Sequence, residues 1–303
     1  MEESIQGVQP VKIQPAQQAS LCSVFIKKIC ATPNGDGVFG KATGFLYRDI
    51  NGRIWLITNW HVITARLPDD PGFLVGEAPQ SPYKIEVTYS GPEVGKFIYE
   101  TIHLYRDGRP IWREFRLDLG IDLVGIPIAL PRKVISPCVQ AFAERDIAPF
   151  QPGMDVVIVG FPFEQDAIQM PFPIWKRAMV ASEPGYTVLG QVQTLLDTPG
   201  NPGMSGSPVY RVSPGMAVTT EEHALFKAAE RGERDLLEVL SEFNPTNRGT
   251  LPMLSLVGVY VGTTGKAGLE RLSLGRMMLA SCIDLVTVKG EPGHNPFPPI
   301  VDF

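Results

Sequence analysis

Ser205 stands in a loop whose composition suits an exposed and rigidly held hydroxyl. The stretch TPGNPGMSGSPVY (residues 198–210) is rich in glycine and proline, which disfavour a regular element and favour a tight turn. A nucleophilic serine needs such a loop and free backbone N–H groups to hold an oxyanion, and Gly203 and Ser205 would supply those groups. The hydrolase elbow motif GxSxG is not met, because GMSGS ends in serine. Taken alone, the loop is also compatible with an ordinary Gly/Ser-rich turn.

His61 and Asp122 are the side chains that would activate this serine, which is a weak nucleophile without a base. His61 follows the apolar run of RIWLITNWHVI, so we expect it at the end of a buried strand, although a structural histidine fits this place too. Asp122, in GIDLVGIPIA, precedes an apolar run where an unpaired carboxylate would be costly to bury, and it would orient His61. Asp118 is the competing carboxylate, and Asp122 is preferred because LVGIPI follows it directly.

The elements that must position these residues are short strands. Glycine (30 residues) and proline (28 residues) are spread along the chain and cut it into short apolar segments, which predicts an all-β sandwich or barrel. The predicted strands are SVFIKKICA, KATGFLYRD, RIWLITNWHV, YKIEVTYS, IDLVGIPIA, DVVIVGF, RAMVASE, QVQTLLDT, SPVYRV, LSLVGVYVG and GRMMLAS.

Two segments depart from the strand pattern. Residues 219–243 are rich in helix formers and are interrupted at Gly232, which predicts one kinked helix or two short ones. ASCIDLVTVKG, near the C-terminus, predicts a short closing helix. Residues 1–20 are expected to form a flexible arm, and residues 291–303 a proline-rich tail extended along the surface.

Charge and composition disfavour several classes of partner. The net charge is −5 and no block of Lys or Arg appears, so we expect no nucleic acid. No secretory signal and no apolar run long enough for a membrane span are found, so we expect a cytoplasmic protein without a membrane partner. The four cysteines and four histidines lack metal-ligand spacing, which predicts reduced thiols, no metal and no cofactor.

Four motifs together resemble the successive signatures of trypsin-like (chymotrypsin-fold) serine peptidases, and more closely their bacterial disulfide-free group. The motifs, in chain order, are TGFLY (43–47), LITNWHV (56–62), IDLVGIPI (121–128) and GMSGSPV (203–209). The resemblance implies two six-stranded antiparallel β-barrels with the active site in the cleft between them. His61 and Asp122 would come from a first lobe (21–140), and Ser205 from a second lobe (141–290) that carries the helical insertion.

The resemblance also implies a primary pocket for the substrate side chain. The pocket walls would be formed by Thr198, Pro199, Val259, Tyr260, Val261 and Gly262. Pro199 is not an acid, which favours an uncharged or apolar side chain, although Asp197 is near enough in sequence to reach in. Trp60 stands where the family has a smaller residue and would shape the cleft. Met204 replaces the aspartate that pairs with a cleavage-generated N-terminus in secreted members, so that kind of activation is not expected.

The sequence therefore predicts a serine endopeptidase that cleaves protein or peptide substrates through an acyl-enzyme. Two other hypotheses remain at this point: a catalytically silent fold that binds peptides or proteins, and a hydrolase of esters. Residues 219–243 are either a solvated insertion or a site for a regulatory partner or self-association.

Overall fold

The structure is a computed structural model. It describes residues 18–93, 95–140, 150–162, 172–188, 191–216, 250–263 and 273–301, and, between 217 and 249, residues 225, 228, 229, 232–235, 238 and 239. Most of the predicted N-terminal arm therefore lies outside the described residues, and its last three residues begin a helix.

Strands dominate this part of the chain, which confirms the all-β class. In chain order they are β1 (Ser23–Thr32), β2 (Gly35–Arg48), β3 (Ile54–Thr58), β4 (Arg66–Leu67), β5 (Asp70–Leu74), β6 (Lys84–Ser90), β7 (Phe97–His103), β8 (Tyr105–Arg106), β9 (Arg109–Pro110), β10 (Arg113–Glu114), β11 (Val124–Pro127), β12 (Val139–Gln140), β13 (Asp155–Gly160), β14 (Ile174–Val180), β15 (Thr187–Val188), β16 (Gln191–Val192), β17 (Thr194–Asp197), β18 (Pro208–Met216), β19 (Thr250–Thr263), β20 (Leu274–Leu279) and β21 (Glu291–Pro292). The helices with defined bounds are α1 (Gln18–Cys22), α2 (Trp60–Thr64) and α3 (Ser281–Lys289), with a 3-10 turn at Leu117–Leu119.

The first lobe is a nine-stranded sheet in the order β21-β10-β11-β3-β2-β1-β6-β7, with β12 beside β2. The residue after β7 contacts the segment before β10, where the Ile111 N–H donates to the Leu104 carbonyl oxygen over 3.0 Å. The sheet curls around one apolar core that includes Ile26, Leu56 and Val124. It has more strands than the six predicted, because β10, β12 and β21 are two-residue strands without an apolar pattern of their own.

The second lobe is a closed six-stranded barrel, as predicted. Its strands follow the order β13-β14-β17-β20-β19-β18, so every strand has a partner on both sides and no edge is left open. The barrel interior is filled by Val156, Ile158, Leu196, Val209 and Met277. Closure fixes the loop before β18, which carries Ser205.

The terminal helices join the two lobes. α1 precedes β1 of the first sheet, yet the Cys22 thiol lies 3.1 Å from the Tyr210 hydroxyl of β18. α3 follows β20 of the barrel and returns to the first lobe, where Asp284 accepts a hydrogen bond from the Tyr47 hydroxyl over 2.7 Å. A shared apolar cluster between the lobes includes Ile283 of α3. The prediction of a short C-terminal helix is confirmed.

His61 lies on α2 and not at the end of a strand, so that prediction was wrong. β3 ends at Thr58, and the buried side chain of Asn59 donates to the Asp122 carbonyl oxygen over 2.8 Å. This contact turns the chain out of the sheet, and one helical turn follows that ends at Ala65 in the left-handed region (φ 54°).

The described residues of the 219–243 stretch fit two helices broken at Gly232. Leu225, Ala228 and Ala229 are helical, and so are Glu238 and Val239. The N–H of Gly232 (φ 72°) donates to the Ala229 carbonyl, as at the glycine cap that ends many helices. The other predicted helical residues lie outside the described part of the chain. None of the helices that the structure describes is long and apolar enough to cross a membrane.

The C-terminal segment after α3 packs against the first lobe and is more than a surface tail. β21 pairs with β10, and the buried Asn295 amide donates to the Ser81 and Tyr105 hydroxyls over 3.1 and 2.9 Å. The Trp60 indole N–H donates to the His294 carbonyl oxygen, and Trp60 is fully buried. The expectation that Trp60 shapes the cleft was therefore wrong, because its ring anchors this segment.

We predict that Asn295→Ala lowers the free energy of unfolding by about 1–3 kcal/mol, because it removes two buried hydrogen bonds, to the Ser81 and Tyr105 hydroxyls. Urea unfolding would measure the change. The matched control is Asn51→Ala, since Asn51 is exposed and should cost less than about 0.5 kcal/mol. Equal effects of the two substitutions would contradict a structural role for the C-terminal segment.

Candidate active site

His61 and Asp122 form a close pair on the first lobe. The His61 ring nitrogen Nδ1 lies 2.6 Å from Asp122 Oδ2, and the His61 backbone N–H donates to Asp122 Oδ1 over 3.0 Å. The hydrogen bond from Asn59 to the Asp122 backbone holds the loop before β11 against α2. Both carboxylate oxygens therefore have a donor, and the imidazole is oriented by its Nδ1 atom.

The environment of Asp122 keeps its carboxyl group ionised. The side chain is almost completely buried, and burial alone would raise its pKa. The neighbouring His61 ring and the hydrogen bonds from His61 act in the opposite direction and hold the pKa of Asp122 below its ordinary value.

Asp118, the competing carboxylate, lies elsewhere. It is exposed in the 3-10 turn, and both of its oxygens accept hydrogen bonds from the Arg116 guanidinium over 2.8 Å. Of the two candidates, Asp122 is the one that contacts His61.

The Ser205 loop is a tight turn held by glycines. The Met204 N–H donates to the Asn201 carbonyl oxygen, and Gly203 in this turn has a φ of 92°, a conformation that favours glycine. Gly206 has a φ of 85°, and a side chain on it would collide with the Thr43 carbonyl oxygen. Gly203 is therefore required by its backbone angle, and Gly206 by both its backbone angle and the contact between the lobes.

Thr43 makes that contact, and the sequence analysis gave it no role. Its N–H donates to the Ser205 carbonyl oxygen over 2.9 Å, and its hydroxyl donates to the Gly203 carbonyl oxygen over 2.9 Å. The same hydroxyl accepts from the Phe161 N–H. The signal was present, since Thr43 begins the TGFLY motif, but a pattern of residue types does not reveal a contact between distant segments.

Ser205 and His61 line the same cavity, which has a volume of about 740 Å³. The Ser205 hydroxyl donates to the Val261 carbonyl oxygen of β19 over 3.1 Å. Within the described residues no hydrogen bond joins Ser205 Oγ to the His61 ring. The structure thus brings the three predicted residues to one site with the hydroxyl turned toward β19.

The two predicted oxyanion donors are available. The N–H groups of Gly203 and Ser205 donate to no acceptor in the part of the chain that the structure describes. They belong to the same turn, so both lie beside the serine that would attack.

The residues predicted for the primary pocket lie around β19 and the loop before Ser205, but several point inward. Thr198, Val259, Tyr260 and Val261 are buried, Pro199 is exposed and Gly262 is half-buried. The Thr198 and Tyr260 hydroxyls have no hydrogen-bond partner among the described atoms. Asp197, the alternative acid, is exposed. The cavity that contains Ser205 is lined by other residues.

No group of three or more metal-ligating side chains is found among the described residues. All four cysteines, Cys22, Cys30, Cys138 and Cys282, are buried free thiols.

Comparisons with known proteins find likeness at the level of structure only. No family model and no curated protein matches the sequence. Among solved structures, the chain is similar to a thermostable serine protease from an extremophilic microorganism, at 9% identity and a TM-score of 0.44, with 88% of this chain and 95% of that chain covered.

We predict that the Asp122 carboxylate stabilises the fold at neutral pH and loses this effect in acid. Because its pKa in the folded chain is below the ordinary value of 3.8, the stabilisation is complete above that value and disappears as the pH falls below it. The difference in free energy of unfolding between the native chain and Asp122→Asn should therefore be constant from pH 7 to pH 5 and shrink below about pH 4. Urea unfolding at several pH values measures it.

Asp118→Asn is the matched control. Arg116 lowers the pKa of Asp118 as well, but solvent screens this exposed pair, so its pH-dependent contribution should be smaller. If both variants gave the same pH profile, the coupling of Asp122 to His61 would be refuted.

Proposed function

We propose that the chain is a serine endopeptidase that cleaves peptide bonds through an acyl-enzyme. The observation that carries the proposal is that His61, whose Nδ1 lies 2.6 Å from the buried Asp122 carboxylate, lines the same cavity as Ser205. The all-β architecture supports it further, and so do the N–H groups of Gly203 and Ser205, which donate to no acceptor among the described residues.

His61 would act as the general base. Asp122 engages Nδ1, so the other ring nitrogen is left to take the Ser205 proton. Ser205 Oγ attacks the peptide carbonyl, and the N–H groups of Gly203 and Ser205 hold the oxyanion. The protonated imidazole then gives its proton to the leaving amine. Water, activated by the same base, hydrolyses the ester and restores Ser205.

One movement is needed before this reaction. The Ser205 hydroxyl must leave the Val261 carbonyl oxygen and turn to the imidazole, which is a rotation about one side-chain bond between staggered positions. Catalytic hydrogen bonds are often absent or long until the substrate is bound. Substrate lying along β19 would compete for the Val261 carbonyl and favour the rotation.

The same hydrogen bond favours a second candidate function. If Ser205 stays bound to Val261, the cleft would serve a catalytically silent module that binds peptides or proteins. The primary-site preference for an uncharged side chain, a partner or self-association through residues 219–243, and a cytoplasmic location remain predictions under either function.

We predict that a fluorophosphonate probe labels Ser205 and that Ser205→Ala abolishes the labelling. Peptide hydrolysis should fall by about 10⁴-fold or more in Ser205→Ala and His61→Ala, because the members of a triad act as a unit. Mass spectrometry of the labelled chain and a fluorogenic peptide library measure the two effects. Circular dichroism would verify that the variants are folded.

Asp122→Asn and Asp118→Asn form the matched pair for the third residue. The first should reduce turnover by about 10⁴-fold and the second should leave it within about twofold, since Asp118 contacts only Arg116. A native chain that binds peptides but neither reacts with the probe nor cleaves them would establish the silent module instead. Hydrolysis of esters without matched amides would establish an esterase.

A further inference from the structure

The cavity beside Ser205 extends away from β19. Besides His61 and Ser205, it is lined by β2 from Val38 to Ala42, by residues 75–77 and by Lys28 of β1. No residue of β19 lines it. The predicted primary pocket lies on the β19 side, so a substrate that spans both regions places its leaving part in this cavity.

Lys28 reaches the cavity because of a bulge between β1 and β2. Lys27 pairs with Lys41 and Ile29 pairs with Val38, so two residues of β2, Phe39 and Gly40, oppose the single residue Lys28. The Lys28 side chain crosses Gly40: its Nζ lies 3.0 Å from the position that a Gly40 Cβ would occupy. Glycine at position 40 (φ 145°) thus leaves room for the lysine.

The Lys28 ammonium has no anionic partner among the described residues. No hydrogen bond or ion pair joins it to any of them, whereas its neighbour Lys27 pairs with Glu86 over 2.8 Å. Burial lowers the pKa of Lys28. The nearby Cys30 is itself buried, which raises its pKa to about 11 and keeps it neutral at pH 7. A cation that is partly removed from water and unpaired gains from an incoming anion.

The other charged side chains of the cavity wall are Lys41 and Glu77. Lys41 already has an interaction of its own, and Glu77 is exposed at the rim of the cavity. Neither side chain therefore serves as a partner for the Lys28 ammonium. The wall holds two lysines and one glutamate in a chain whose net charge is −5. Its local charge is therefore opposite to that of the whole molecule.

We infer that Lys28 binds a carboxylate on the leaving part of the substrate and so makes the chain prefer an acidic group just after the scissile bond. This inference rests on the proposed function, because it takes the cavity as one half of the substrate site. It adds no chemical step: Lys28 is a specificity residue that holds the leaving group.

The first measurement is binding to the full chain carrying Ser205→Ala, which cannot turn over. Fluorescence anisotropy would compare matched peptides with Asp, Asn or Lys at the first two positions after the scissile bond. We expect Asp to bind about tenfold more tightly than Asn, as for a charge-assisted hydrogen bond, and Lys more weakly than either. Adding Lys28→Met should abolish the preference, and Lys28→Arg should largely retain it.

Lys27→Met is the matched control, because it removes the same charge from the adjacent residue of β1 while Lys27 pairs with Glu86. It should leave the preference for Asp unchanged. Equal binding of the Asp and Asn peptides, or a preference that survives Lys28→Met, would overturn the inference. Loss of the preference in Lys27→Met would do the same, since it would assign the effect to overall charge.

A carboxylate could come from an acidic side chain or from the free C-terminus of a short substrate. Peptides with an amidated end and Asp test the first source, and peptides with a free end and Asn test the second. Tighter binding of either, dependent on Lys28, supports the inference. Cleavage by the native chain is scored separately: a chain that shows the binding preference without cleavage refutes only the peptidase, and cleavage without the preference refutes only the role of Lys28.

Discussion

The hydrogen bond from the Thr43 N–H to the Ser205 carbonyl oxygen is the contact on which the geometry of the site depends. Thr43 belongs to a strand of the first lobe, and Ser205 belongs to the loop that enters the barrel. The Thr43 hydroxyl also binds Gly203 and Phe161, and its carbonyl accepts from Thr58. Each polar group of Thr43 thus bonds to a residue outside its own strand. These short, buried hydrogen bonds fix the position of the Ser205 loop relative to the first lobe.

Such close contact between backbones restricts which residues fit at the interface between the two lobes. A side chain on Gly206 would strike the Thr43 carbonyl, and one on Gly160 would strike the Ser207 side chain. The small residues of the GMSGS loop therefore permit both the close approach of the two lobes and the tight turn. Asp122 depends on the same interface less directly. It is held by Asn59 and His61, which follow β3, the strand that carries Thr58.

The sequence was informative where a residue's surroundings are set by its neighbours in the chain. The predicted strands SVFIKKICA, YKIEVTYS and DVVIVGF match β1, β6 and β13 within one or two residues. Of the residues in the four motifs, His61 and Ser205 line one cavity, and Asp122 contacts His61. The sequence did not predict the features that depend on contacts between segments distant in the chain. The hydrogen bond from Asn59, directly before α2, to the Asp122 backbone joins positions 63 residues apart, and the role of Trp60 depends on residues after α3. The sequence did not single out Lys28, because the position of its amine depends on the bulge that Phe39 and Gly40 form opposite it.

The C-terminal segment has a consequence for the order of assembly. Residues 291–300 complete the sheet of the first lobe and cover Trp60, the neighbour of His61, although they follow the whole barrel in the chain. During synthesis the N-terminal sheet must therefore wait, with its edge at β10 open, until residues 291–300 have left the ribosome. Contacts between such distant positions form late because closing a long loop is entropically costly. The contact between Trp60 and His294, next to His61, can therefore form only after the whole barrel has been synthesised.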